Sequence, residues 1–453
     1  MLFCGSGTAG AYQAGVLRAL TEAGVKVDVV ASHGAGVILA LCAAIDGGAR
    51  LWGADGPWIR AAMSGAYRWR AALRVGASGL LVALFLLLSP LLVLVLAAGI
   101  YALSMLAGLA SMPDMSEQLV GLYGRMIGWL FSPPIVPTIM PRAVVLALLV
   151  VVVILATAAL KAMRGGRTRR RARGAFWWKL IGSPLDPAEP ASSMTDVLWQ
   201  LVRGASNEPR PAPEEIGRRY VDVLADNLGQ PGFREVLVAV HDLDGRRDLV
   251  GAVLRPEARE AFESRRPGGG VREAETVDLT GPQRELLLDL LIASWRLPIV
   301  TEPHPVQFPS ESYWQGERHR LCDRPELVTR LVDEAVAVGV EQLILVGAAP
   351  PPAAPHGMRA RPADLRSRMG EFVRSIETSA LHDAEAVAVR EFHGVFAIRP
   401  DHNPVGPFDF DGVYDETSDR QRELSDLVRQ GYEDAYRQFI EPVVASGDRE
   451  DHD

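Results

Sequence analysis

The sequence predicts an α/β fold, a parallel-sheet core with helices on both faces, interrupted by a two-helix transmembrane hairpin. Three observations predict it. The first seventy residues run strand, tight small-residue turn, helix, and then repeat that pattern. Two long uncharged apolar runs follow. Beyond about residue 175 the alternation of strands and helices resumes.

The chain starts with the end of a strand entering "CGSGTAG". It continues as a helix "AYQAGVLRALTEAG", a strand "VDVVA", a Ser-His-Gly-Ala-Gly turn and a further helix. The start lacks the basic region and apolar core of a signal peptide. Its strand is short, so a few residues are expected upstream of Met1.

Gly79 to Ala110 carries no charge and is long enough to span a bilayer, with Pro90 as a kink. Ala143 to Leu160 is a second span. Arg60, Arg68, Arg70 and Arg74 precede the first. Lys161, Arg164, Arg167, Arg169, Arg170, Arg171 and Arg173 follow the second, whereas the loop between holds only Arg125 and Arg142. The positive-inside rule places both ends in the cytoplasm. Trp52, Trp58, Tyr67 and Trp69 before the first span, and Phe176, Trp177 and Trp178 after the second, are expected at the lipid interface. The basic run after the second span would favour anionic headgroups. The loop Ser111 to Arg142 reads as short, Pro-rich and skimming the interface.

The cytoplasmic remainder shows a strand "EVLVAVHDLDGRRDLV", a helix "GPQRELLLDLLIAS", then a helix and strand in "PELVTRLVDEAVAVGVEQLILVG". A Pro/Ala linker "AAPPPAAPHG" follows, then a helix near 363–380, a strand "GVFAIRP" and a last amphipathic helix. "RRPGGG" at 265–270 reads as a flexible loop. The organisation is 1–75 and 164–349 as one domain in two pieces, 76–163 as the hairpin, and 350–453 as a C-terminal extension.

Composition narrows the function classes. A net charge of −8 argues against nucleic acid as a partner. Cys4, Cys42 and Cys322 have no paired spacing, which argues against a disulfide framework or a zinc site. His241, Asp242 and Asp244 cluster in sequence, but nothing nearby completes a ligand set. No cofactor is expected.

Gly5, Gly7 and Gly10 form G-x-G-x-x-G between a strand and a helix. Three readings are open: a dinucleotide fingerprint, an oxyanion hole of backbone N–H groups, or tight strand–helix packing. Against the first, Asp28 lies at the start of the next strand and not near its end.

"CGSGTAGAYQAGVLRAL" resembles the glycine-rich segment of the patatin-like phospholipase family, with its GAY/GVL continuation. Asp28 to Gly36 resembles that family's apolar strand and its G-x-S-x-G elbow. "HDLDGRRDLV" and "IASWRLPI" are similar to later segments of the family. The likeness covers roughly 1–50 and 220–350, with the hairpin as an insertion. It implies a lipid acyl hydrolase with a Ser–Asp dyad, and Gly5, Gly7 and Gly10 as the oxyanion hole. The pattern is broken at the chemistry. In the ungapped register Gly34 stands at the nucleophile position, and glycine has no oxygen to attack an ester. A shifted register would make Ser32 the nucleophile, but it puts β-branched Val30 where the strained turn needs a small residue. His33 reads as a turn residue, since neighbouring side chains on extended backbone point opposite ways. Asp323 holds the place of the dyad aspartate, with Arg324 where the family has glycine. Asp411 with Gly412 matches the letters better and lies later in the chain. Ala9 stands where the family has a cation.

Two functions follow, beside a third, a nucleotide-binding membrane module using the glycine loop. One is a membrane-anchored protein of this fold, impaired or inactive as a hydrolase, that binds lipid, acyl chains or a partner. The other is an active phospholipase A or lysophospholipase using Ser32 and Asp323. The membrane lipid is the expected partner of either, and the C-terminal extension a surface for a protein partner. The long segment 398–416, dense in Pro, Gly and Asp, reads as an ordered loop packed on the domain or as such a surface.

Overall fold

Short Val- and Leu-rich runs flanked by glycine and charge become strands buried on both faces. The computed structural model of the chain describes residues 1–53, 56–59, 63, 65–110, 112–164, 182–204, 206–264, 272–353 and 364–444. The strands of its main sheet are β1 (Leu2–Cys4), β2 (Val29–Ser32), β3 (Glu235–Asp242), β4 (Arg247–Val253), β5 (Thr276–Asp278), β6 (His304–Gln307), β7 (Arg318–Cys322), β8 (Gln342–Gly347) and β9 (Gly394–Ile398). Seven of them run in the order β9-β8-β1-β2-β3-β4-β5, and β6 pairs antiparallel with β7 off this path. The run from β9 to β3 is parallel throughout. β4 turns back antiparallel on β3, and β7 pairs antiparallel with the last two residues of β3.

Alternate residues of the parallel strands face opposite layers. Leu2, Cys4, Val29, Ala31, Leu237 and Ala239 share a core with Leu327, Leu331, Leu381 and Ala384, from the helices Leu327–Ala337 and Leu365–Glu391. Phe3 points the other way, against Gly36 of the helix Gly36–Ala44. Gly15 of the helix Ala9–Glu22 and Gly431 of the helix Leu424–Ala435 let those two backbones touch: a Cβ on either would overlap a carbonyl oxygen of the other helix. Tyr12 Oη donates to Asp434 Oδ2 across the same contact at 3.0 Å. The GAY and GVL letters therefore serve a helix–helix contact.

Contacts divide the chain into Met1–Arg68 with Leu185–Asp453, and Trp69–Pro184. The segment read as an extension supplies β9 and a helix to the core, so it belongs to the first unit. "EVLVAVHDLDGRRDLV" is a hairpin of two strands, not one, because its Asp-Gly pair turns the chain. The helix expected near 363–380 runs to Glu391.

The second unit has two helices long and apolar enough to cross a membrane, within Ala71–Leu109 and Met140–Thr157. Only 11% and 6% of their most apolar windows are buried. They are therefore not core helices of this chain: Leu81, Phe85 and Val95 of the first and Val145 and Val152 of the second are all exposed. The segment between them is not a loop. Pro113–Leu130 is an 18-residue helix, started by proline at its first turn, and Ile135–Ile139 is a π-helical turn. The basic run 165–173, Phe176 to Trp178 and the 265–270 loop lie outside the described residues, as do Arg60 and residues 354–357 of the linker.

Candidate functional site

Parallel pairing of β1 with β2, Leu2 beside Ala31 and Phe3 beside Ser32, brings the turns at their C-terminal ends together. That edge of a parallel sheet is where ligands meet α/β folds. The two turns are sewn by His33 N–H to Phe3 O at 3.3 Å and Ala35 N–H to Gly5 O at 2.9 Å. Gly34 sits at φ +62°, the left-handed conformation that suits glycine. A Cβ on Gly34 would lie 3.0 Å from Asp323 Oδ2 and would overlap the Gly5 carbonyl oxygen. The elbow thus aims its central position at Asp323, and the Gly5 carbonyl fills the room a side chain would need.

Asp323 follows β7 and is anchored by its own N–H to Arg296 O at 2.6 Å. It is fully buried. Ser6 Oγ donates to Oδ2 at 3.0 Å, and His33 Nδ1 lies 3.0 Å from Oδ1. Ser6 and His33 are 2% and 1% exposed, so no competing water reaches this pair of contacts. With Nδ1–H pointed at a carboxylate, a neutral His33 carries its lone pair on Nε2. Nε2 is buried without a partner among the described residues. Beside it is a cavity of about 10 Å³ lined by Cys4, Gly5, His33 and Glu377 among others. That volume holds one water and no ester. Glu377 Oε1 accepts from Ser6 N–H at 2.7 Å. Desolvation pushes the Glu377 carboxyl up to about 7.

The other expected site residues fall as follows. Ser32 ends β2, and its Oγ is buried with no hydrogen-bond partner among the described residues. Asp411 is exposed on a turn. Arg324 leaves Asp323 and donates to Asp248 Oδ2 at 2.9 Å, while Asp248 Oδ1 meets His241 Nδ1 at 2.7 Å. Asp244 pairs with Arg320, and its carboxyl is held below the usual range by that guanidinium. Ala9 is 4% exposed and packed against Gly5, where a longer side chain has no space. Among the described residues no group of three His, Cys, Asp or Glu could hold a metal ion.

The segment 398–416 closes the glycine loop. Thr8 N–H donates to Pro407 O at 3.1 Å and Thr8 Oγ1 to Gly406 O at 2.7 Å. A Cβ on Gly7, which lies at φ +58°, would overlap Pro407 O. Two amides that a phosphate or oxyanion would need, those of Ser6 and Thr8, are thus taken by Glu377 and Pro407. Asn403 donates to Ala348 O at 3.1 Å and Arg374 donates to the Asn403 and Val405 carbonyls, so this strap is tied down along its length. Its Phe408 and Phe410 pack on Tyr67, which stacks toward Trp295, itself beside Trp58. Trp58 and Tyr67 are each 1% exposed. They are core residues, not the interfacial pair expected from their place before the first span. Their neighbours across the chain, which the sequence does not reveal, decide this.

Sequence reasoning missed Ser6, Glu377 and the pairing of His33. Ser6 had one legible signal, a hydroxyl between two glycines at a strand end. His33 does point away from Ser32, as alternation requires, but into the site. Glu377 had no signal at all. Compared with models of known protein families the chain matches none, and a search of curated proteins finds no match either.

Proposed function

We propose that this is a membrane-anchored protein of patatin-like fold that has lost acyl-enzyme chemistry and binds lipid or acyl chains at the membrane. The observation that carries the reading is Gly34: it lies at φ +62° in the turn after β2, a Cβ on it would lie 3.0 Å from Asp323 Oδ2, and it bears no side-chain oxygen. Ser–Asp catalysis needs a hydroxyl there with the carboxylate as its base. The tied strap and the water-sized cavity support the same reading, because among the described residues Asp323 is fully buried and the cavity at Gly5 and His33 is too small for an ester. The anchor is two spans with both ends in the cytoplasm, supported by the arginines before the first span and the basic run after the second.

A second reading rests on one specific contact. Ser6 Oγ is 3.0 Å from Asp323 Oδ2, so a dyad could run from the glycine loop, with Ser6 in the role expected of Ser32. A fluorophosphonate serine-hydrolase probe separates the two. Detergent-solubilised wild type is expected to label no more than Asp323→Ala. Labelling of wild type that disappears in Ser6→Ala overturns the first reading and establishes the second, and loss in Ser32→Ala would restore the shifted elbow. Mass spectrometry of the unlabelled protein should then find co-purified lipid.

A further inference from the structure

The first unit, which bears the sheet, gives up the chain after Arg68 and takes it back at Leu185. One loop of that unit touches both crossing points. Tyr67 Oη donates to Trp295 O at 2.8 Å, and Leu185 N–H donates to Val300 O at 3.0 Å. Between those two carbonyls the chain makes a turn, closed by Thr301 N–H donating to Leu297 O at 2.8 Å. Arg296 O, in the same loop, holds the Asp323 N–H.

At the tip of that turn stands Ile299, 84% exposed and at φ +73°. A β-branched residue in the left-handed region is an outlier, because its Cβ crowds the backbone carbonyl, and glycine or asparagine would sit there at lower cost. Burial does not offset the cost, since so little of the side chain is covered. A single exposed apolar residue is ordinary on a surface that faces water. One held in a strained turn, and tied to both crossing points, calls for something outside the chain to meet it. A second apolar side chain stands near. Trp58 stacks on Trp295 with ring centroids 6.1 Å apart, and Ile59, the next residue, is 41% exposed. Arg68, beside Tyr67, is exposed as well.

We infer that Ile299 and Ile59 are a lipid-docking surface of the sheet-bearing unit, entering the near face of the bilayer while Arg68 meets anionic headgroups. Lipid is the occupant because of where the chain goes next. Seven residues separate Tyr67 from Arg74, the last charge before the apolar run, a rise of about 10 Å on a helical path. A surface whose hydrogen-bond partner is Tyr67 therefore starts close to the headgroups. The inference rests on the two-span reading and goes beyond it, since two spans could hold the unit on a tether with no face of it against lipid. Arg296 O holds Asp323 from the same loop, so docking turns the candidate site's edge of the sheet toward the membrane.

The test uses the full-length protein in phosphatidylcholine–phosphatidylglycerol vesicles. Single cysteines replacing Ile299, Ile59 and Val389 carry an environment-sensitive fluorophore, and a cysteine at Leu87 is the span control. Val389 is the matched surface control: it is 64% exposed and lies near the end of the helix Leu365–Glu391, just before β9 begins, at the edge of the sheet opposite the site. The natural Cys4, Cys42 and Cys322 are all buried, which limits background labelling. Quenching by a shallow spin-labelled lipid should be at least threefold stronger at 299 and 59 than at 389. Equal quenching at the three, with 87 quenched by a deep label, overturns the docking surface and leaves the spans. A fluorophore at 299 shielded from iodide but not reached by the spin-labelled lipid means that protein covers this surface, and overturns it too. An unquenched 87 overturns the two-span reading and the inference together. Ile299→Gly relieves the backbone cost, so its unfolding midpoint in detergent should match or exceed that of wild type. A lower midpoint would make the side chain a structural one and overturn the inference.

Discussion

The two units of this chain bury opposite things. In the sheet-bearing unit, Asp323, His33 and Ser6 are nearly or fully inaccessible, and the Asp323 carboxylate takes Ser6 Oγ on one oxygen and His33 Nδ1 on the other. In the helical unit Leu81, Phe85 and Val95 stand exposed at 66%, 64% and 65%. Physical chemistry allows a buried carboxylate when hydrogen bonds replace water, and exposed leucines in quantity when the surrounding solvent is not water. The second unit holds two helices long and apolar enough to cross a membrane, and on the proposed reading the two units face two different solvents.

The largest expected effect breaks the first half of that contrast. Asp323→Ala strips two buried donors of their acceptor and, at about 1–3 kcal/mol for each donor left unsatisfied, should show the largest loss of stability in chemical unfolding in detergent. Asp323→Asn, which keeps one oxygen, should lose less. The second half is tested by Leu87→Arg. A charge at the centre of a span costs about 3 kcal/mol of insertion, so the variant should fall out of the alkali-resistant membrane fraction. If Leu87→Arg inserts as well as wild type, that helix is not in lipid. Ser6→Ala removes a hydroxyl donor to a carboxylate and should cost about 2 kcal/mol.

Acid–base behaviour sharpens the comparison further. The Glu377 pKa is raised from 4.5 to about 7 by desolvation. Over that window the folded protein holds a proton the unfolded chain has released. Stability should therefore be greatest below about pH 4.5 as far as this group is concerned, and should decline as pH rises through 7. Glu377→Gln should flatten that slope, read as midpoint temperature against pH, while the helical unit contributes none of it. The smallest effect belongs to Ser32→Ala. Its Oγ is already buried without a partner among the described residues, so the variant should be neutral, or more stable by up to about 1 kcal/mol. A loss above 2 kcal/mol would mean that Ser32 has a partner, and would reopen its role.

Much of this architecture was written in residue order, and the reason is locality. Helix periods, uncharged runs and strand–turn–helix punctuation act over ten to thirty residues, so the sheet, the two apolar helices and the elbow at Gly34 could be read directly. The helix Pro113–Leu130 escaped because prolines at 133, 134 and 137 draw attention to its far end and its apolar residues serve two faces at once.

The sequence by itself determined that no side-chain oxygen stands at the centre of the elbow, because a glycine has none wherever it folds. Tertiary structure alone decided what surrounds that absence. Ser6 and Asp323 are 317 residues apart and meet only because β1 and β7 end at one edge of the sheet. Pro407 reaches Thr8 across almost the whole chain, and Glu377 reaches Ser6 from the middle of a helix whose letters give no hint of it. Contacts of that separation depend on how the layers stack, and stacking is a property of summed packing rather than of any local pattern.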